Sequence, residues 1–208
     1  MNILVCGVGG QGVLLFSDII SKIALTAKLD VKKSEVHGMA QRGGSVTSHI
    51  RWSPKVYSPL IEEGHADLLV AFEKLEALRY IHFLSPSGIL IYDPLRIEPL
   101  PVLIGTVEKM PDAVLDERIR RHVPRNYSVP AFEVASKLGS PRIQNMVMLG
   151  AVSKLLDFPQ NLYHQAIRVS VKPQFIELNL KALAAGLELI PPHTYCGKNN
   201  FALNRYQR

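Results

Sequence analysis

Residues 3–12 of the chain read ILVCGVGGQG, four apolar residues followed by a turn rich in glycine. An apolar run of this length, ended by glycine, predicts a strand that is buried on both faces, as in a parallel sheet. Apolar residues then recur at helical spacing from 13 to 27, and residues 30–36 have the pattern of a second strand. The order strand, glycine turn, helix, strand is that of a βαβ unit.

The rest of the chain continues this alternation. Further strands are expected at 45–52, 67–72, 89–92 and 102–107, with helices at 73–84 and 112–123 and a turn at 85–88. After residue 131 the pattern is mostly helical, and periodicity is lost after Pro191-Pro192. We therefore predict an α/β fold: a doubly wound, mostly parallel sheet flanked by helices, with a helical C-terminal part. A single domain is expected over 1–190, followed by a C-terminal tail at 191–208.

Composition and charge indicate which kinds of partner and which compartment to expect. The chain has 208 residues, a net charge of +6 and a pI near 9.4, which favours an anionic partner. Its densest basic run, at 118–125, has two interpretations, a solvated face or an acidic docking surface. Basic residues form no stripe with interleaved aromatics, so nucleic acid is not expected as a partner. No stretch is apolar enough to cross a membrane and no leader is recognisable, so we expect a cytoplasmic protein.

Neither metal nor catalytic residues stand out. The two cysteines, Cys6 and Cys196, lie in no Cys-x-x-Cys motif, so no metal site is predicted. Histidines are scattered, and spacing isolates no acid/base pair, so no catalytic residue is assigned to this chain.

The glycine turn alone leaves alternatives open. Gly7, Gly9 and Gly12 match G-x-G-x-x-G between a strand and a helix, the context of a dinucleotide site, and Glu35 is placed where a ribose contact is expected. A self-contained NAD(P)-binding Rossmann-type oxidoreductase is therefore one hypothesis. A turn that merely lets the helix pack on the sheet is another.

A second glycine-rich loop, HGMAQRGG at residues 37–44, makes both of these alternatives less favoured. The two loops together resemble the gamma domain of pyruvate:ferredoxin and 2-oxoacid:ferredoxin oxidoreductases, and within that family the beta subunit of the indolepyruvate type. Residues 72–80, 145–151 and 179–186 agree with the family pattern. The chain departs from it at Asp93, where the family often has Asn, and in the segment 107–127.

The resemblance implies a division of labour between two chains. The family's enzymes oxidatively decarboxylate a 2-oxoacid, here an aryl one such as indolepyruvate, to an acyl-CoA and pass electrons to ferredoxin. Thiamine diphosphate and the iron–sulfur clusters belong to the partner alpha subunit, with CoA as co-substrate. This chain is then expected to bind no cofactor itself, to be inactive alone, and to meet ferredoxin only through the hetero-oligomer. A non-catalytic interaction module remains a further alternative.

The carboxyl ends of parallel strands carry the ligand sites of such sheets, so both glycine loops are expected at that edge. We predict that they line one wall of a cleft that binds CoA or a substrate anion, with Gln41 and Arg42 as side-chain donors. Asn145, in an apolar helix, is expected to need a hydrogen-bond partner. The predicted cleft residues are Gly7, Gly9, Gly10, Gln11, Gly12, His37, Gln41, Arg42, Gly43 and Gly44.

Overall fold

A computed structural model describes residues 1–37 and 43–191, without the side chain of His37. The strands are β1 (Asn2–Val8), β2 (Asp30–His37), β3 (Ser45–Ser53), β4 (Ala66–Ala71), β5 (Leu84–Tyr92) and β6 (Asn126–Ser128). The helices are α1 (Val13–Thr26), α2 (Lys74–Tyr80), α3 (Leu100–Leu103), α4 (Asp112–His122), α5 (Ala131–Lys137), α6 (Gln144–Ser153), α7 (Gln160–Ser170) and α8 (Ile176–Leu187). Short 3₁₀ turns at Ile81–Phe83, Pro141–Ile143 and Pro173–Phe175 join some of them.

The described strands form one sheet in the order β2-β3-β1-β4-β5-β6. β3 runs antiparallel to both of its neighbours, and the other strands run in one direction. Only residues 38–44 join β2 to β3, and a parallel connection needs a crossover of about a dozen residues or more, so this pair must be a hairpin. The predicted α/β class with a mostly parallel, helix-flanked sheet is confirmed. The predicted βαβ opening is modified, because β3 lies between β1 and β2.

Burial explains the contrast between the central strands and the edge strand. Residues 3–6 of β1 are completely buried, because helices cover both faces of the sheet there. On one face α1 and α5–α8 pack into a large apolar core, and on the other α2 and α4 cover a smaller one. β2, at the edge, carries Lys32 and Lys33, charged residues that discourage pairing with another chain.

Helices α6 and α8 cross with almost no space between their backbones. A Cβ on Gly186 would lie 1.9 Å from the Val147 carbonyl oxygen, and one on Gly150 would lie 2.1 Å from the Leu183 carbonyl oxygen. Each helix thus contributes a glycine at the point where the other approaches most closely. This contact fixes the position of α6, whose first turn reaches the carboxyl edge of the sheet.

Some predicted elements differ from the structure. The strand expected at 102–107 is wrong: the helical turn α3 lies there instead, with Pro101 in its first turn, where the fixed φ of proline favours a helix start. The turn expected at 85–88 belongs to β5, where the register against β4 is irregular. The helix expected at 73–84 ends as α-helix at Tyr80, and the short strand β6 was not predicted.

Candidate functional site at the carboxyl edge of the sheet

The first glycine loop joins β1 to α1. Gly10 and Gly12 have φ of 109° and 81°, a left-handed conformation that glycine adopts without the steric cost of a Cβ. Gly12 is the N-cap of α1, and neither a capping side chain nor an acidic residue is present in the first turn. The Phe16 N–H donates to the Gly12 carbonyl, whereas the N–H groups of residues 13–15 have no acceptor within the described residues. They are available to an anion.

The two glycine loops meet. The Gly9 N–H donates a 2.9 Å hydrogen bond to the Gly44 carbonyl, and Val8 pairs with Ser45 in the β1–β3 ladder. The described ends of the second loop therefore lie beside the first loop, at the edge where both loops were expected. Gly43, with a φ of 75°, is exposed beside them.

Part of the predicted cleft lies outside the described residues. These are Gln41 and Arg42, together with the side chain of His37, whose backbone ends β2. The proposed roles of Gln41 and Arg42 as donors therefore stay predictions. The tail beyond residue 191, including Cys196, also lies outside the described part.

The Gln11 side chain points inward and braces the loop. Its Oε1 accepts the Val8 N–H at 2.7 Å, and its Nε2 donates to the Phe72 carbonyl at 2.8 Å and to Gln144 Oε1 at 3.3 Å. These bonds tie the loop to the ends of β1 and β4. The Gln11 side chain is therefore occupied in holding the loop in place.

A buried polar network beneath the loop continues from Gln11. Gln144, at the start of α6, donates to the Phe72 carbonyl at 2.8 Å and to Asp93 Oδ2 at 2.9 Å. The same Asp93 oxygen accepts the Phe132 N–H at 2.6 Å, and its Oδ1 accepts the Leu95 N–H at 2.9 Å. Burial raises the pKa of the Asp93 carboxyl, although these hydrogen bonds act in the opposite direction. Both carboxylate oxygens of Asp93 thus accept hydrogen bonds.

Sequence reasoning assigned no role to Gln144 or Asp93. The available signals were a polar pair, Gln144 and Asn145, at the head of an apolar helix, and an acidic residue directly after a predicted strand. Their pairing spans 51 positions of sequence, so spacing could not connect them.

Asn145 lies directly against the first glycine loop. It is 2% exposed, its Nδ2 donates to the Gly12 carbonyl at 3.4 Å, and a Cβ on Gly12 would lie 2.6 Å from that nitrogen. The hydrogen-bond partner expected for Asn145 is present for Nδ2 but not for Oδ1, which has no partner in the described part of the chain. Glycine at position 12 is therefore required by both backbone conformation and space.

Two more buried carboxylates lie at this edge. Glu73, the N-cap of α2, accepts the Glu76 N–H, and Glu76 accepts the Ser45 hydroxyl. Burial raises the pKa of the Glu73 and Glu76 carboxyls. Glu35, considered above as a ribose contact, instead lies 2.6 Å from Lys33 Nζ, which also pairs with Asp18. The feature that favoured a nicotinamide cofactor is therefore engaged in an ion pair.

Comparison with known proteins now gives the family. Residues 2–189 match the model of the pyruvate ferredoxin/flavodoxin oxidoreductase family. The chain belongs to this family. The resemblance recognised from the two glycine loops is confirmed, as is the broader expectation of a subunit of a 2-oxoacid:ferredoxin oxidoreductase.

The match to curated relatives extends over nearly the full length of each of them. The chain is 44% identical to indolepyruvate oxidoreductase subunit IorB of Archaeoglobus fulgidus, over 89% of this chain and 93% of that one. It is 35% identical to the protein of the same name in Pyrococcus horikoshii, over 90% and 94%. A 2-oxoglutarate synthase subunit KorC of Methanothermobacter thermautotrophicus is 31% identical over 91% and 94%. Relatives thus carry names for more than one oxoacid.

Solved structures show the same fold. Pyruvate oxidoreductase subunit PORC from Thermotoga maritima aligns with a TM-score of 0.69 at 21% identity, covering 92% of this chain and 97% of that one. The 2-oxoglutarate:ferredoxin oxidoreductase of Magnetococcus marinus, solved with 2-oxoglutarate, coenzyme A and succinyl-CoA bound, aligns at 0.70 and 23% identity. There the match covers 91% of this chain but 30% of the other, so the fold forms one part of a longer polypeptide.

The described residues contain neither a metal-binding cluster nor a membrane-spanning helix. No group of three or more His, Cys, Asp or Glu side chains in the described ranges could hold a metal ion. None of the described helices is both long and apolar enough to span a bilayer.

Proposed function

We propose that this chain is the beta subunit of an indolepyruvate-type 2-oxoacid:ferredoxin oxidoreductase, in which a larger alpha subunit supplies the redox cofactors. The holoenzyme would convert an aryl 2-oxoacid to an acyl-CoA and pass the electrons to ferredoxin, and this chain would be inactive alone. The names of the relatives from A. fulgidus and P. horikoshii support the choice of substrate. The hetero-oligomer is supported by their being named as subunits.

The role of this chain would be to hold an anion at the subunit interface. The observation that carries the proposal is the meeting of the two glycine loops beside the open N-terminus of α1. Backbone N–H groups and the helix dipole both favour a phosphate or carboxylate there. CoA carries phosphates and the oxoacid a carboxylate, so either fits this chemistry. The CoA bound by the M. marinus enzyme supports CoA as the co-substrate.

The described residues fit the placement of the iron–sulfur clusters in the partner. Such clusters are held by cysteine thiolates. Burial, together with the nearby carboxylates of Glu76 and Glu73, raises the pKa of the Cys6 thiol well above its ordinary value, which disfavours a thiolate. Thiamine diphosphate, which supplies the carbanion chemistry of decarboxylation, is likewise proposed to be bound by the alpha subunit.

A charge placed at the α1 N-terminus tests the anion site. Leu14 lies in the first turn of α1 and is 37% exposed, so Leu14→Glu would put a carboxylate where the anion is proposed to bind. Leu14→Gln is the matched neutral control. Because acidic residues suit a helix N-terminus, Leu14→Glu should not destabilise the fold relative to Leu14→Gln.

The assay is steady-state kinetics of the complex reconstituted with the alpha subunit. We expect Leu14→Glu to raise the KM for one anion about 5-fold or more relative to Leu14→Gln, corresponding to about 1 kcal/mol, and added salt to reduce the difference. A rise for CoA alone identifies CoA as the bound anion, and a rise for the oxoacid alone identifies the substrate carboxylate. Equal KM values for both variants would remove the proposed anion site.

Two further measurements complete this test. Arg42→Ala should raise the same KM if the second loop contributes its guanidinium, and unchanged kinetics would remove that role. Titration of the isolated chain with NADH or NADPH should show no micromolar binding, whereas saturation in that range would favour the Rossmann-type alternative.

A further inference from the structure

Glu76 departs from the usual geometry of a helix start. Its N–H is capped by the Glu73 side chain, and Glu76 occupies the third position of α2, where a glutamate commonly turns back to the N-cap backbone. Here the Glu76 carboxylate reaches instead to β3: Oε2 accepts the hydroxyl of Ser45, and Oε1 pairs with Arg79 at 3.1 Å. Because the Glu76 carboxylate does not make the usual capping contact, we expect it to have another role.

Ser45 joins this carboxylate to the glycine loops. It is the first residue of β3, directly after Gly44, whose carbonyl accepts the Gly9 N–H. Its hydroxyl also lies 3.0 Å from the Tyr80 hydroxyl at the end of α2. Glu76 is 3% exposed, so its contact with Ser45 is shielded from water and strengthened accordingly.

We propose that Ser45, Glu76 and Tyr80 form a latch that fixes the junction between the two glycine loops, with Glu76 as a positioning residue for the anion site. This inference rests on the proposed function, because it assigns the latch to the same site. The latch connects α2, on one face of the sheet, to the first residue of β3, next to the hydrogen bond between Gly9 and Gly44. Residues that touch no substrate thereby determine how the backbone donors are presented.

The other groups around Glu76 are consistent with this role. Glu73 lies next to it and repels it, Arg79 attracts it, and the Cys6 thiol lies 3.6 Å from the Glu76 carbonyl. Burial raises the pKa of the Glu76 carboxyl, while Ser45 and Arg79 act to lower it. Burying this carboxylate opposes folding, and the Ser45 hydroxyl and Arg79 offset part of that cost.

The first test measures the latch without reference to activity. Hydrogen exchange of the Gly9 N–H in the full-length chain reports the bond to Gly44. Ser45→Ala should raise its exchange rate about tenfold or more, since a hydrogen bond to a charged acceptor is lost. Ser45→Thr keeps a hydroxyl and should restore the parental rate. Ser136→Ala removes an exposed hydroxyl within α5 and serves as the control.

The second test links the latch to the reaction. In the reconstituted complex, Ser45→Ala and Tyr80→Phe should raise the KM of the anion identified with the Leu14 pair, with Ser45→Ala giving the larger increase. Ser45→Thr and Ser136→Ala should leave it unchanged. Glu76→Gln keeps an acceptor for Ser45 but loses the charge, so an intermediate increase is expected.

The outcomes distinguish a failure of the latch from a failure of the proposed anion site. An unchanged Gly9 exchange rate in Ser45→Ala overturns the latch. Faster exchange with unchanged KM values overturns the positioning role, even where the Leu14 pair supports the anion site. If the Leu14 pair shows no difference, the proposed function of the loops fails, independently of the exchange result, because Leu14 takes no part in the latch.

Discussion

Gly186→Ala offers a direct test of the close crossing of α6 and α8. In an ordinary helix, replacing glycine by alanine stabilises the fold by about 1 kcal/mol. Here the new Cβ would lie 1.9 Å from the Val147 carbonyl oxygen. Ordinary contact begins near 3.4 Å, so the helices would have to separate by about 1.5 Å. The obstacle is backbone, which cannot rotate away as a side chain could.

The expected magnitude follows from these opposing effects. Overpacking of a tight core costs about 1–3 kcal/mol, and a backbone obstacle places this change at the upper end. After the gain in helix propensity, the free energy of unfolding should fall by about 2 kcal/mol. For a chain of this size the melting temperature should then drop by about 4–8 °C.

Urea and thermal unfolding of the purified chain provide the assay, with Ala184→Gly as the control. Ala184 is an exposed residue of the same helix, so this change should cost about 1 kcal/mol through propensity alone. Gly150→Ala combined with Gly186→Ala should cost less than the two single changes together, because one separation relieves both contacts. A Gly186→Ala variant as stable as the parent would refute the reasoning.

Two further predictions concern the network beneath the first loop. Because burial raises the pKa of Asp93 above its ordinary value of 3.8, the stability that it contributes is present below that value and is lost as pH rises through the folded pKa. Asp93→Asn removes this dependence, so urea unfolding should show the variant gaining on the parent from pH 3.8 towards neutrality; a pH-independent difference would contradict the assignment. Gln144→Ala should lower the free energy of unfolding by about 2 kcal/mol or more, because Asp93 loses a buried donor. The exposed Gln160→Ala should change it by less than about 0.5 kcal/mol, and equal effects of the two substitutions would show that the network is not needed.

The sequence predicted an element correctly where the residues that determine it are neighbours in the chain. The apolar run of β1, the glycines at 7–12 and the apolar periodicity of α1 each reflect steric and burial rules that act over a few residues. The alternation of strands and helices then predicted the fold class and, through it, the edge of the sheet at which both loops were expected. The strand expected at 102–107 does not form, and Leu103, Ile104 and Val107 are exposed, unlike the apolar residues of the central strands.

The remaining features depend on contacts between distant segments. β6 has only three residues, two of them polar, and exists because it pairs with β5. The Gln11–Gln144–Asp93 network and the Ser45–Glu76 contact join residues 31–133 positions apart. A single sequence shows that these residues are polar, but not which of them meet. The helix crossing at Gly150 and Gly186 likewise requires both helices to be placed.

The reversed direction of β3 has a consequence for how such proteins can diverge. Since β2 and β3 form a hairpin added to one side of β1, the remaining strands β1, β4, β5 and β6 stay contiguous without it. The hairpin tip can therefore change in length or composition without rethreading any crossover connection. Exchanging residues 37–44 between relatives named for different oxoacids would test whether the choice of substrate moves with this one connection, while the order of β1, β4, β5 and β6 stays the same.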